Sequence, residues 1–152
     1  MSSAYLAFPI GVVAGLRSMT APAAVSWAAR LGWLPLEGTP LAFLGHPVTP
    51  YILTALGAGE LIADKLPNTP SRKSALGFSG RIVTGALSGA AIGASDNALA
   101  LGLVSGIIGA VAGTLLGYEG RLRAAKAVGK DLPVALAEDL IAISAAAAIV
   151  TR

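Results

Sequence analysis

Long runs of apolar and small residues, broken at short polar stations, set the pattern of this chain. The first run covers residues 4–34 and is interrupted by Pro9, Arg17 and Pro22. Proline removes a backbone donor and bends or ends a helix. The pattern therefore predicts a broken or kinked first helix, with the break near residues 18–22. Residues 36–49 are rich in Pro and Gly and read as a loop, with residues 41–44 touching a membrane interface. A second apolar run covers residues 50–66. A third starts near Leu76 or Arg81 and ends at Ser95, and Asp96 and Asn97 form a turn. A fourth covers residues 98–118 and the last residues 134–150, separated by a basic stretch over residues 120–133.

These runs predict an all-α integral membrane protein of about five transmembrane helices, folded as one membrane domain over residues 1–152. Composition agrees. Hydrophobic residues make up 55% of the chain and charged residues 12%, against roughly 25% charged in ordinary globular domains. Mean hydropathy is +0.73. The opening residues have no basic flank and no small-residue cleavage site, so the first run reads as a retained helix.

Charge placement sets an expected orientation. Lys65, Arg72, Lys73, Arg81, Arg121, Arg123, Lys126 and Lys130 are eight of the 11 Lys and Arg residues. With five crossings they gather on one side, together with the N-terminus. The positive-inside rule then predicts an inner-membrane protein with a cytoplasmic N-terminus. The net charge of +3 is thereby assigned to membrane orientation, and nucleic acid is not expected as a partner.

Glycines recur every four residues at Gly85, Gly89 and Gly93, and again at Gly109, Gly113 and Gly117. Such glycine zippers let helix backbones approach closely, either within one chain or between copies. An echo also runs through the sequence. Residues 11–15 (GVVAG) match residues 109–113 (GAVAG), and Glu60 of ELIA matches Asp139 of DLIA. This suggests an inverted repeat, with halves 4–66 and 102–151 around a linking helix 76–95.

Candidate chemistry lies where charge enters the apolar runs, because an ionisable group there needs a partner, a cavity or a ligand. Arg17 cannot deprotonate. It calls either for a structural pair with Glu60 or Asp64, or for an anionic ligand at the helix break. Glu60 and Asp64 share a helix face, and like charges there invite a cation or a shared proton. Arg17, Ser18, Thr20, Glu60, Asp64 and Asp139 are thus the candidate substrate- or ion-binding residues. Glu138 and Asp139 have a plainer reading as acids in the first turn of the last helix. Lys65, Asn68, Thr69, Ser71, Arg72 and Arg81 form a candidate cytoplasmic contact for an anion or lipid headgroup, with a capping turn as the ordinary alternative.

The chain has no cysteine and one histidine, His46, in a Pro/Gly-rich loop. Thiolate chemistry is therefore excluded, and a histidine-built zinc site is not available. No nucleophile elbow or P-loop is present, so no enzymatic motif, no catalytic residue and no cofactor is indicated. Whether carboxylates 60, 64, 138 and 139 gather around a metal stays open at this level. A function as a small transporter or channel-like protein for an ion or small solute fits best, with a homodimer enclosing the path. The alternative is a non-transporting module that binds anionic lipid headgroups or partner membrane proteins.

The stretches GLRSMTAPAAVSWAA (residues 15–29) and ELIADKLPNTPSR (residues 60–72), followed by Gly80-Arg81 and a glycine-rich helix, carry a resemblance. The chain resembles a family of small bacterial integral-membrane proteins known only as a domain of unknown function. The resemblance covers nearly the whole chain and implies a compact multi-span inner-membrane protein. It implies no substrate and no catalytic residues.

Overall fold

A computed structural model describes residues 3–63 and 75–151. Among the described residues the chain is all-helical, with six α-helices: α1 (Ala7–Leu16), α2 (Thr20–Arg30), α3 (Thr49–Ala63), α4 (Ala75–Ser95), α5 (Leu99–Val128) and α6 (Asp131–Val150). Short 3-10 turns cover Ser3–Leu6 and Ala42–Gly45. Two of the helices, α5 and α6, are long and apolar enough to cross a membrane by length and composition.

The first run is broken as expected, but one residue earlier. Arg17 leaves α1 in an extended conformation, with φ −142° and ψ 107°. The prolines do not kink helix interiors. Pro9 and Pro22 each stand third in their helix, where the missing N–H is one of the first-turn donors that have no partner within the helix.

After the break the chain does not continue in the direction of α1. α1 lies alongside α5 and runs in the same direction. A Cβ on Gly109 would sit 3.0 Å from the Gly11 Cα, and a Cβ on Gly15 would sit 2.7 Å from the Gly113 carbonyl carbon. α2 then doubles back. Leu6, Ala28, Trp33 and Leu34 line one small cavity together with Ser95 and Asp96, so both open ends of α1 and α2 lie beside the α4–α5 turn. The first run is therefore a helical hairpin whose tip is formed by Arg17, Ser18 and Met19. It is not one bent helix, and Leu6 lies at the end of α5 away from the basic stretch.

The same contacts explain the sequence echo. Residues 11–15 and 109–113 face each other in register and in parallel. Inverted copies would run in opposite directions, so here the shared glycines reflect two small-residue strips that pack together. α4 and α5 pack antiparallel through their own glycines. Cβ atoms on Gly89 and Gly93 would lie 2.7 Å from the Gly106 Cα and 2.8 Å from the Gly102 Cα. The turn between them holds Asn97 at φ 59°, a left-handed position that Asn tolerates better than most residues.

α5 is longer than its apolar run. The basic stretch stays helical through Val128 and ends at Gly129, whose φ of 84° forms a left-handed cap. At the elbow that follows, Arg121 forks onto Asp131, with Nε to Oδ1 at 3.0 Å and Nη2 to Oδ2 at 2.7 Å.

Alanines make up most of the core, together with Ile10, Val13, Val25, Leu36, Leu44 and Ile92. Ala7, Ala14, Ala21, Ala91 and Ala142 are fully buried. Many large apolar side chains point outward: Leu116 is 73% exposed, Leu140 68% and Val83 64%.

Candidate functional site

The hairpin tip collects the charges that the apolar runs contain. Arg17 is fully buried. Its Nε donates to Asp139 Oδ1 at 2.5 Å, its Nη2 lies 2.5 Å from the same oxygen, and its Nη1 lies 3.8 Å from Glu138 Oε1. A permanently charged side chain at zero exposure is tolerable only with such partners. Among the described residues Arg17 pairs with α6 and not with Glu60; the other expected partner, Asp64, lies outside the described residues. Glu138 and Asp139 stand eighth and ninth in α6, so the reading as first-turn acids does not hold; Asp131 takes that position.

Glu60 answers the other side of the break. Its two carboxylate oxygens accept the backbone N–H groups of Ser18 and Met19, both at 2.8 Å. These donors lie at the start of α2, where the helix dipole is positive, so a carboxylate is favoured there. No residue of α2 itself caps that end by a side-chain hydrogen bond. Glu60 thus occupies the donors that an anionic ligand at the break would need.

Arg81 completes the arrangement. It is 7% exposed, donates from Nη1 to the Gly15 carbonyl at 2.8 Å and places Nη2 3.8 Å from Glu60 Oε1. The Gly15 carbonyl belongs to the last turn of α1, where the dipole favours a cation. Thr114 Oγ1 reaches the same carbonyl at 3.4 Å. Arg81 was expected at a cytoplasmic mouth; it is buried at the tip, in the second turn of a helix that begins at Ala75. Each half-helix end therefore meets a charge of opposite sign from another helix: α1 meets Arg81 of α4, and α2 meets Glu60 of α3.

Of the residues expected to bind an ion or substrate, Arg17, Ser18, Glu60 and Asp139 come together at the tip. Thr20 opens α2 and lines an apolar slot beside it. Asp64, and Lys65, Asn68, Thr69, Ser71 and Arg72 of the expected anion contact, lie outside the described residues. Glu138, Gly15 and Thr114 join the site without having been expected there. The position of Glu138 beside Asp139 was the available signal; nothing in the sequence marks a carbonyl such as that of Gly15. Among the described residues, no three acidic or histidine side chains gather closely enough to hold a metal ion.

The architecture is thus an all-helical domain with a charged hairpin tip at its centre. The chain belongs to the family described as Domain of unknown function (DUF4126), whose model matches residues 4–151. Neither the curated proteins nor the solved structures contain a match to it.

Proposed function

We propose that this chain is an integral membrane protein that moves an ion or small solute past the hairpin tip, acting as a homodimer in the inner membrane. The observation that carries the reading is the tip itself, where a fully buried arginine at a helix break is held by acids of another helix. Irregular backbone at membrane depth is tolerated only where protein or a water-filled cavity surrounds it. Broken helices with charged ends at mid-depth are the usual way transporters build an ion site. α1 and α2 have 10 and 11 residues, so each reaches about 15 Å, half of a bilayer core. The outward-facing Leu and Val side chains over a core of alanines support lipid as the surrounding solvent.

In this reading α3 to α6 provide four crossings and the hairpin enters from one side. The positive-inside rule places Arg121, Arg123 and Lys126 in the cytoplasm. Leu6, Asp96 and Val150 then face outward, which reverses the N-terminal placement expected from five crossings.

The test is flux in proteoliposomes over a panel of protons, simple ions and small phosphorylated or carboxylated solutes. Wild type is compared with Glu60→Gln and Glu138→Gln, each checked for folding. Protein-dependent flux that falls in the Glu138→Gln or Glu60→Gln protein is the expected result. Silence across the panel from well-folded protein would overturn transport and favour a module that binds lipid headgroups or partner proteins.

A further inference from the structure

The outward face of α5 changes character along its length. Leu101, Val104, Ile108, Leu115 and Leu122 recur at steps of three, four or seven residues, and all are exposed. Such spacing puts them on one side of the helix. That side points away from α1 and α4, which pack on Gly109 and Gly106. Lys126 continues the same line four residues after Leu122, and Arg123 stands three residues before Lys126, on the same side. Both cations are exposed.

These two differ from the arginines already described. Arg17 is held by Asp139, Arg81 lies 3.8 Å from Glu60, and Arg121 is forked onto Asp131. Among the described residues no carboxylate pairs with Arg123 or Lys126. Glu119 stands one turn before Arg123 on the same side and forms no ion pair with it. Their depth follows from the length of α5. In the membrane reading α5 starts at the outer edge of the hydrocarbon layer, and Tyr118 is reached after about 30 Å, the thickness of that layer. Arg123 and Lys126 follow about 8 and 12 Å farther on, beside a headgroup layer of about 5–8 Å. Helix side chains lean toward the N-terminus, so both cations reach back to the level of the lipid phosphates. Leu115 stays level with the acyl chains.

We infer that the basic end of this face holds an anionic phospholipid, with its phosphate at Arg123 and Lys126 and an acyl chain along Leu122 and Leu115. Charge selects this occupant. A guanidinium fork beside an ammonium suits phosphate oxygens, and the cytoplasmic leaflet supplies anionic lipids that such cations attract. A second copy in the same orientation, joined across this face by a two-fold axis, would set Arg123 and Lys126 against their own counterparts. Like charges brought together in this way oppose association. The inference rests on the membrane reading and its orientation, and not on transport.

Trp27 and Trp33 are the chain's two tryptophans, so Trp27→Phe with Trp33→Phe gives a dark background. Leu122→Trp in that background reports on the site, and Leu101→Trp, at the far end of the same face, is the reference. Each protein is placed in phosphatidylcholine nanodiscs with an increasing fraction of brominated phosphatidylglycerol or of phosphatidylcholine brominated on the same chains. For Leu122→Trp the expected result is half-quenching at a phosphatidylglycerol fraction roughly fivefold below that of brominated phosphatidylcholine, for each cation engaged. Leu101→Trp should show no such difference. Arg123→Gln with Lys126→Gln should abolish the preference. Raised salt should weaken it in protein that keeps both cations, which tests the charges even where the double variant folds poorly. Equal quenching of Leu122→Trp by the two lipids would overturn the site, as would a preference that Leu101→Trp shares or that survives loss of both cations. Flotation with liposomes separates the two readings. Protein that fails to float overturns the membrane reading and the site together, whereas floating protein without the preference overturns the site alone.

Discussion

Arg17 Nε and Asp139 Oδ1 lie 2.5 Å apart across 122 positions of sequence. The contact ties the tip of the N-terminal hairpin to the middle of the last helix, and both side chains are buried. Removing one partner of a buried pair costs about 3–5 kcal/mol when nothing else compensates the other charge and less where a second acid such as Glu138 stays beside it, whereas replacing both with apolar groups is often neutral. Asp139→Leu should therefore unfold at markedly lower temperature or denaturant than wild type. Arg17→Met combined with Asp139→Leu should recover most of the loss. Thermal melts by circular dichroism, arranged as a double-mutant cycle, measure the coupling.

The Glu60 carboxylate serves two backbone donors, so its substitutions should rank by how many acceptors remain. Glu60→Gln keeps one carbonyl oxygen at the same reach and should cost about 1 kcal/mol. Glu60→Ala leaves both the Ser18 and Met19 N–H groups unmet and should cost about 2–3 kcal/mol. Equal melting temperatures for the two variants would remove the cap from the account.

Gly106 stands where three helices meet. A Cβ there would press on the backbone of Gly85 and lie 3.0 Å from the Gly89 Cα, and Gly11 approaches Gly106 from α1. Gly106→Ala should therefore destabilise the fold despite the better helix propensity of alanine. Gly59 and Gly120 also sit in helices but have open space around them. Their change to alanine should be neutral or stabilising by about 0.5–1 kcal/mol. Yield and melting temperature of the three purified variants decide this.

The hairpin itself is open to a labelling test, because the chain has no cysteine. Cysteines replacing Tyr5, Trp33 or Asp96 should react with an impermeant maleimide from the same side of a sealed vesicle. A cysteine replacing Arg123 should react from the other side. A first segment that crosses once would place Tyr5 and Trp33 on opposite sides.

Much of the helix layout was legible in the amino-acid order. The apolar runs located the helices among the described residues, residues 18–22 marked the break within one residue of its place at Arg17, and Asp96-Asn97 marked the turn. Glu60, Arg17 and Asp139 stood out because charge within an apolar run needs a partner. Their pairing was not legible: Glu60 and Asp64 were the partners expected for Arg17, and nothing in the sequence brings the α6 acids beside it. The length of α5 was misjudged for a related reason. Residues 120–128 change from apolar to basic without a helix breaker before Gly129, so hydropathy ends where the helix does not.

By itself the sequence determined which segments are helical, because runs of apolar residues, prolines at helix starts and glycines at caps act locally. Only the tertiary structure decided which way α2 runs. The extended residue Arg17 and the two that follow it allow the chain either to continue or to double back. Contacts far away in sequence select between these: Asp139 on Arg17, Glu60 on the α2 N-terminus and Arg81 on the Gly15 carbonyl. Tertiary packing likewise turned the glycine echo from a mark of inverted symmetry into a parallel contact. A four-residue glycine spacing permits close approach in either direction, and the side chains beyond the glycines choose the direction.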